Sequence, residues 1–126
     1  RTFTAGNTTA WRREHEVIQE AIHASLEALK SHEILKGAQI DHIAREVMRK
    51  AGYSTWPDEM WGVWTGHPVG GFSSPVIASE SQDEIEEGMV FTIEPGIYEK
   101  GKGGFRIEHH VLAKKYDYEV LDRYPE

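Results

Sequence analysis

Apolar residues in the first part of the chain recur at the spacing of an α-helix. Between Ala10 and Ser31 they lie three or four positions apart, with charged residues between them: Val17, Ile18, Ala21, Ile22, Leu26 and Leu29. A second stripe of the same period runs from Gln39 to Ala51, with Gly37 interrupting the pattern before it and Gly52 ending it. The pattern predicts two amphipathic helices, each burying one face.

The period changes after Gly52. No helical spacing continues through the following stretch of about 25 residues, which is rich in Trp, Gly and Pro and favours short strands and loops. Met89–Glu94 and Gly104–Lys114 are rich in Val, Ile, Phe and Thr and are predicted as strands, joined by the glycine-rich stretch Pro95–Gly103; Tyr118–Leu121 is the last predicted strand. We therefore expect one α+β unit with two helices packed on an antiparallel sheet.

Composition excludes several classes of function. The 126 residues contain 14 Lys and Arg against 21 Asp and Glu, a net charge of −7, so a nucleic acid is a poor partner. Cysteine is absent, which excludes disulfides, thiolate zinc sites and a cysteine nucleophile. No apolar run approaches the roughly 20 residues that cross a bilayer, so no membrane partner is expected.

Two glutamates are predicted to face each other across the hairpin. A hairpin centred on Gly101 places Glu94 opposite Glu108, with Thr92 and Glu94 on one strand face. Like charges at directly opposed positions repel, and a divalent cation between them would remove the repulsion. The alternative is an exposed rim on which Glu108 pairs with Arg106 or a lysine. Spacing alone does not decide between a metal site and this rim.

His67 is the third candidate ligand. It lies in the segment Thr65–Gly71, where flanking glycines permit close backbone approach. A single histidine is more often structural than a ligand, so this signal is weak without support from elsewhere in the chain.

Three motifs carry a resemblance to a known family. They are Gly66-His67-x-Val69-Gly70, the run Gly88–Tyr98 and the run Gly103–Glu108. They resemble successive signatures of the pita-bread metallopeptidases, in the prolidase and aminopeptidase P branch, and the likeness extends over essentially the whole chain. The resemblance implies the C-terminal half of a pita-bread fold, with two helices on a curved antiparallel sheet.

The resemblance also implies a chemistry. Family sites hold two Mn²⁺, Co²⁺ or Zn²⁺ ions on two aspartates, one histidine and two glutamates, and His67, Glu94 and Glu108 match three of these ligands. Glu108 would bridge the ions, while His67 and Glu94 would bind one of them and act as catalytic residues. The implied reaction is hydrolysis of peptides with proline in the second position (Xaa-Pro) by a metal-activated hydroxide. A cytoplasmic homodimer acting on a peptide or another small molecule is implied as well.

Two departures from the family pattern qualify this expectation. Both aspartate ligands are expected upstream of Arg1, so residues 1–126 resemble the C-terminal part of a catalytic domain that is inactive alone. The family's second histidine, seven residues after the ligand, is Ser74 here. A different pita-bread reaction, that of a creatinase-like amidinohydrolase or a lyase, therefore stays open, as does a non-catalytic pita-bread binding protein.

Overall fold

The computed structural model describes residues 8–31, 33–54 and 64–122. Its elements follow the predicted order of helices and then strands. They are a 3₁₀ turn (Thr8–Trp11), α1 (Arg12–Ala28), α2 (Gly37–Lys50), β1 (Val90–Ile93), β2 (Gly96–Glu99), β3 (Gly103–Arg106), β4 (His109–Lys114) and β5 (Asp117–Val120). The predicted α+β class is confirmed. No helix within the described ranges has the length and hydropathy of a bilayer-spanning segment.

Both helices bury the predicted faces. All six apolar residues of the first stripe are buried, and Ile40, Ala44 and Met48 form the innermost line of the second. Gly37 is the first residue of α2 rather than an interruption before it. A Cβ atom at Gly37 would lie 2.0 Å from the carbonyl oxygen of Val76, so this glycine allows close backbone contact at the start of the helix.

The predicted hairpin register is confirmed. β1 pairs antiparallel with β4, Val90 facing Leu112, and β2 pairs with β3, Gly96 facing Arg106, so one register continues through both pairs. The prediction of one continuous strand over Gly104–Lys114 was wrong, because Ile107 and Glu108 separate β3 from β4. On the other side of the hairpin, Glu94 and Pro95 separate β1 from β2 at the same level.

Proline explains one side of this break. Pro95 follows Glu94 and has no N–H to donate to a strand ladder. The stretch Pro95–Gly103 was predicted as a connection without a strand. In the structure it contains strand β2, which begins directly after Pro95. The hairpin is divided into a three-stranded sheet of order β1-β4-β5 and a two-stranded sheet of β2 and β3.

An irregular segment, Thr65–Val69, covers the free edge of β1. The amide of Val69 donates to the Val90 carbonyl at 3.0 Å, and the amide of Thr92 donates to the His67 carbonyl at 2.9 Å. The amide of Glu94 donates to the Thr65 carbonyl at 2.7 Å. The Thr65–Val69 segment thus runs antiparallel to β1, and His67 lies beside the strand that Glu94 follows.

An ion pair between a buried glutamate and an exposed lysine joins α1 to the β2–β3 turn. Glu14 is 4% exposed, and its Oε1 lies 2.9 Å from Nζ of Lys102. Burial by itself raises the pKa of the Glu14 carboxyl, but the hydrogen bond and charge of Lys102 outweigh it and hold the pKa below its ordinary value of 4.5.

Lys102→Met is expected to lower the urea midpoint of unfolding at pH 7, because it leaves the Glu14 carboxylate buried without its cation. A carboxyl whose folded-state pKa is lowered stabilises the protein fully above pH 4.5, and this contribution is lost as the pH falls through the folded-state pKa. The difference between wild type and Lys102→Met should therefore narrow in urea titrations below pH 4.5. Glu99→Gln removes the exposed partner of the same lysine and should change the midpoint little. If the difference in urea midpoint between wild type and Lys102→Met stayed constant at all pH values, it would not come from the Glu14 carboxylate.

Candidate metal centre

The strand pairings place the three predicted ligands on one face. Thr92 lies between His67 of the covering segment and His110 of β4, and Glu94 follows on the same face as Thr92. Side chains of directly opposed residues in antiparallel pairs project to the same side of a sheet. The hairpin register brings Glu108 opposite Glu94 at the level where both strands break.

The three side chains converge. Ligand atoms of His67, Glu94 and Glu108 all lie within 4.8 Å of one another. Nε2 of His67 is 3.3 Å from Oε1 of Glu94. Glu94 is buried, Glu108 is half-buried and His67 is exposed, so the cluster has a covered floor and an open side. One imidazole and two carboxylates at this separation fit a divalent cation of the Mn²⁺, Co²⁺ or Zn²⁺ type.

Glu94 is held at both of its oxygens. Oε1 accepts a hydrogen bond from the Thr92 hydroxyl at 2.9 Å, and Oε2 forms an ion pair with the Arg106 guanidinium at 2.6 Å. The ion pair of Arg106 with Glu94, a side chain only 9% exposed, was not part of the exposed-rim alternative, in which Glu108 pairs with Arg106 or a lysine. Arg106 offsets part of the cost of burying the Glu94 carboxylate and fixes its orientation.

The contact made by Nδ1 of His67 supports the fit of the cluster to a divalent cation. Nδ1 lies 3.0 Å from the carbonyl oxygen of Pro68, an atom that only accepts, so Nδ1 carries the hydrogen. In the uncharged ring, Nε2 then has a lone pair that faces Oε1 of Glu94. Both atoms are hydrogen-bond acceptors, and a cation between them would bind both. Metal-binding histidines commonly donate their other N–H to a backbone carbonyl in this way.

A histidine opposite Thr92, His110, is held by an aspartate. His110 donates its backbone N–H to Asp122 at 2.7 Å, and its Nδ1 lies 3.0 Å from the same carboxylate. Burial raises the pKa of Asp122, but these hydrogen bonds and the neighbouring imidazoles outweigh it and lower the pKa. Nothing in the spacing of the sequence singled out Asp122 as a partner of this strand.

Comparison with known proteins places the chain in a family. The model of metallopeptidase family M24 matches residues 1–115, which contain all three clustered side chains. The chain belongs to this family. An uncharacterized peptidase of Staphylococcus aureus (strain USA300) is 34% identical over 125 residues, which are 98% of this chain and 34% of that protein. The M24 chain thus spans about a third of the length of such curated relatives.

Solved structures of two enzymes share its fold. The prolidase of Pyrococcus furiosus matches with a TM-score of 0.83 and 32% identity, over 100% of this chain and 36% of that one. The Xaa-Pro dipeptidase of Bacillus anthracis matches with a TM-score of 0.84 and 29% identity, over 100% and 35% of the two chains. The predicted family and the pita-bread fold are confirmed, whereas the individual roles of His67, Glu94 and Glu108 stay predictions.

Proposed function

We propose that this M24 chain supplies the His67, Glu94 and Glu108 ligands of a metal-dependent hydrolase that cleaves peptides with proline in the second position. The observation that carries the proposal is the convergence of these three ligand atoms within 4.8 Å, on a fold shared with a prolidase and an Xaa-Pro dipeptidase. The cytoplasmic location and the homodimer implied by the resemblance stay predictions.

In the proposed reaction, the three ligands have different roles. A divalent cation held by the three side chains would lower the pKa of water and polarise the scissile carbonyl. Glu94 would accept and return the proton of the attacking water, with Thr92 and Arg106 keeping its two oxygens in place. His67 would hold its Nε2 toward the centre through the Nδ1 contact with Pro68. Glu108 would be the ligand shared by two ions.

Two more ligands are required by this proposal. The first aspartate in the sequence is Asp41, which is 1% exposed and paired with Arg45, so it does not offer a free carboxylate to the cluster. We propose that the two aspartates come from polypeptide outside residues 1–126. The chain alone would then bind about one ion weakly and have no activity on Xaa-Pro dipeptides.

The test combines binding with hydrolysis. Chelator-stripped chain is titrated with Mn²⁺ in a calorimeter and then incubated with Ala-Pro, with the Pyrococcus furiosus prolidase as the positive control for hydrolysis. We expect weak binding near one ion per chain, no hydrolysis by the chain alone, and hydrolysis once a polypeptide carrying the two aspartates is added. Strong Mn²⁺-dependent hydrolysis by the 126 residues alone would contradict the need for the aspartates.

Creatine is included as a second substrate because of Ser74, where the resemblance places an imidazole. Loss of that imidazole is the observation that favours a different reaction on the same fold. Cleavage of creatine, and not of Ala-Pro, by the completed protein would move the function to the amidinohydrolase alternative.

A further inference from the structure

A buried carboxylate lies behind the metal centre. Asp41 of α2 is 1% exposed, and its Oδ2 lies 2.7 Å from Nε of Arg45, one helical turn later. Its Oδ1 accepts a hydrogen bond from the hydroxyl of Thr65, a residue that is 3% exposed. The helix is therefore joined by a directional bond to the first residue of the segment that carries His67.

Thr65 connects this bond to both sides of the cluster. Its carbonyl accepts the amide of Glu94 at 2.7 Å, and its own amide donates to the Ile77 carbonyl at 2.8 Å. His67 follows two residues later in the same segment. A shift of Thr65 would therefore move the His67 backbone and remove the hydrogen bond that holds the Glu94 backbone.

We propose that Asp41 is a positioning residue of the metal centre, acting through the Thr65 hydroxyl on the strand pairing that sets His67 against Glu94. This inference rests on the metal centre of the proposed function. Burying a carboxylate is costly, and well-packed apolar side chains often replace a buried ion pair without loss of stability. An apolar residue at position 41 would pack the helix on the sheet, but it would not orient the Thr65 hydroxyl.

The hydroxyl and the carboxylate are removed separately. Asp41→Asn and Thr65→Val weaken or remove the bond, Thr65→Ser keeps a hydroxyl, and Glu14→Gln is the matched control. Glu14 is also a buried carboxylate with a cationic partner, and that partner is Lys102 in the β2–β3 turn. Each protein is titrated with Co²⁺ alone, and the visible absorption spectrum reports both affinity and ligand geometry.

We expect the Kd for Co²⁺ to rise about tenfold in Asp41→Asn and Thr65→Val, with a changed spectrum, as for the loss of outer-shell partners in other metal sites. Thr65→Ser and Glu14→Gln should keep the wild-type Kd and spectrum. A folded Thr65→Val with the wild-type Kd and spectrum would overturn the positioning role. If Asp41→Asn does not fold, the positioning role is tested by comparing the Kd for Co²⁺ and the spectrum of Thr65→Val with those of Thr65→Ser.

Hydrogen exchange separates this inference from the proposed function. If the wild-type chain binds no Co²⁺, the proposed metal centre fails, but the positioning of Glu94 can still be measured without metal. We expect the Glu94 amide to exchange about tenfold faster in Thr65→Val than in Thr65→Ser, as for the loss of a hydrogen bond to a charged group. Equal exchange rates in the two variants would overturn the inference on their own.

Discussion

Glu94→Gln is expected to weaken Mn²⁺ binding by more than about a hundredfold, since changes outside the first coordination sphere already cost about 10- to 100-fold. The amide keeps the size of the side chain and can still accept the Thr92 hydrogen bond to the position of Oε1, seen at 2.9 Å. It removes the negative charge that the cation and Arg106 both need. Calorimetric titration of chelator-stripped protein measures the loss.

Glu86→Gln is the control for the Glu94 substitution. Glu86 is an exposed carboxylate outside the cluster, so its loss changes the net charge by the same amount and should leave the Kd for Mn²⁺ near its wild-type value. A Glu94→Gln protein that binds Mn²⁺ as tightly as wild type would show that Glu94 is not a ligand. Equal urea midpoints for the two variants would confirm that binding, rather than folding, is compared.

Gly66→Ala is expected to destabilise the fold by about 3 kcal/mol, at the upper end of the range for overpacking. A Cβ at position 66 would lie 1.9 Å from the Thr92 carbonyl oxygen and 3.1 Å from a side-chain carbon of Ile77. The obstacle at 1.9 Å is backbone, so it is relieved only by moving the Thr65–Val69 segment away from β1. That movement would separate His67 from Glu94, and Mn²⁺ binding should be lost as well.

Gly88→Ala provides the comparison for this glycine. Gly88 has φ +90 and nothing within 4 Å of its would-be Cβ, so alanine there strains the backbone without a clash. We expect a cost of about 1 kcal/mol in urea denaturation and unchanged Mn²⁺ binding. If Gly66→Ala were no more destabilising than Gly88→Ala, the result would contradict the close approach of the Gly66 backbone to the Thr92 carbonyl.

The parts of the site within one hairpin could be predicted from the sequence. A tight turn fixes the register of the strands it joins, so the position of Gly101 was sufficient to place Glu94 opposite Glu108. The two-residue alternation of a strand then assigned Thr92 to the same face as Glu94. These inferences needed no information about distant parts of the chain, and the observed pairing confirms the register.

The parts that depend on distant contacts could not be predicted. No spacing rule pairs Thr65 with Glu94 or with Asp41, because these contacts join separate elements of the fold that lie far apart in the sequence. The partner of Arg106 was equally open, since Glu94 and Glu108 both lie within reach of a long side chain on this hairpin. Motif resemblance drew attention to His67, but the covering segment that carries it is visible only in the structure.

The division of the cluster between a hairpin and a separate segment has a consequence for how the protein folds. Glu94 and Glu108 are close in sequence, so the loop closed by their approach is short and loses little chain entropy. His67 lies in a segment whose contacts to β1 and α2 close loops up to roughly twice as long, at a higher cost in chain entropy. Early in folding, the hairpin would bring the Glu94 and Glu108 carboxylates together with Arg106 to offset part of their charge, before the imidazole is present. Divalent cations would then be expected to speed formation of the hairpin as well as to stabilise the finished protein.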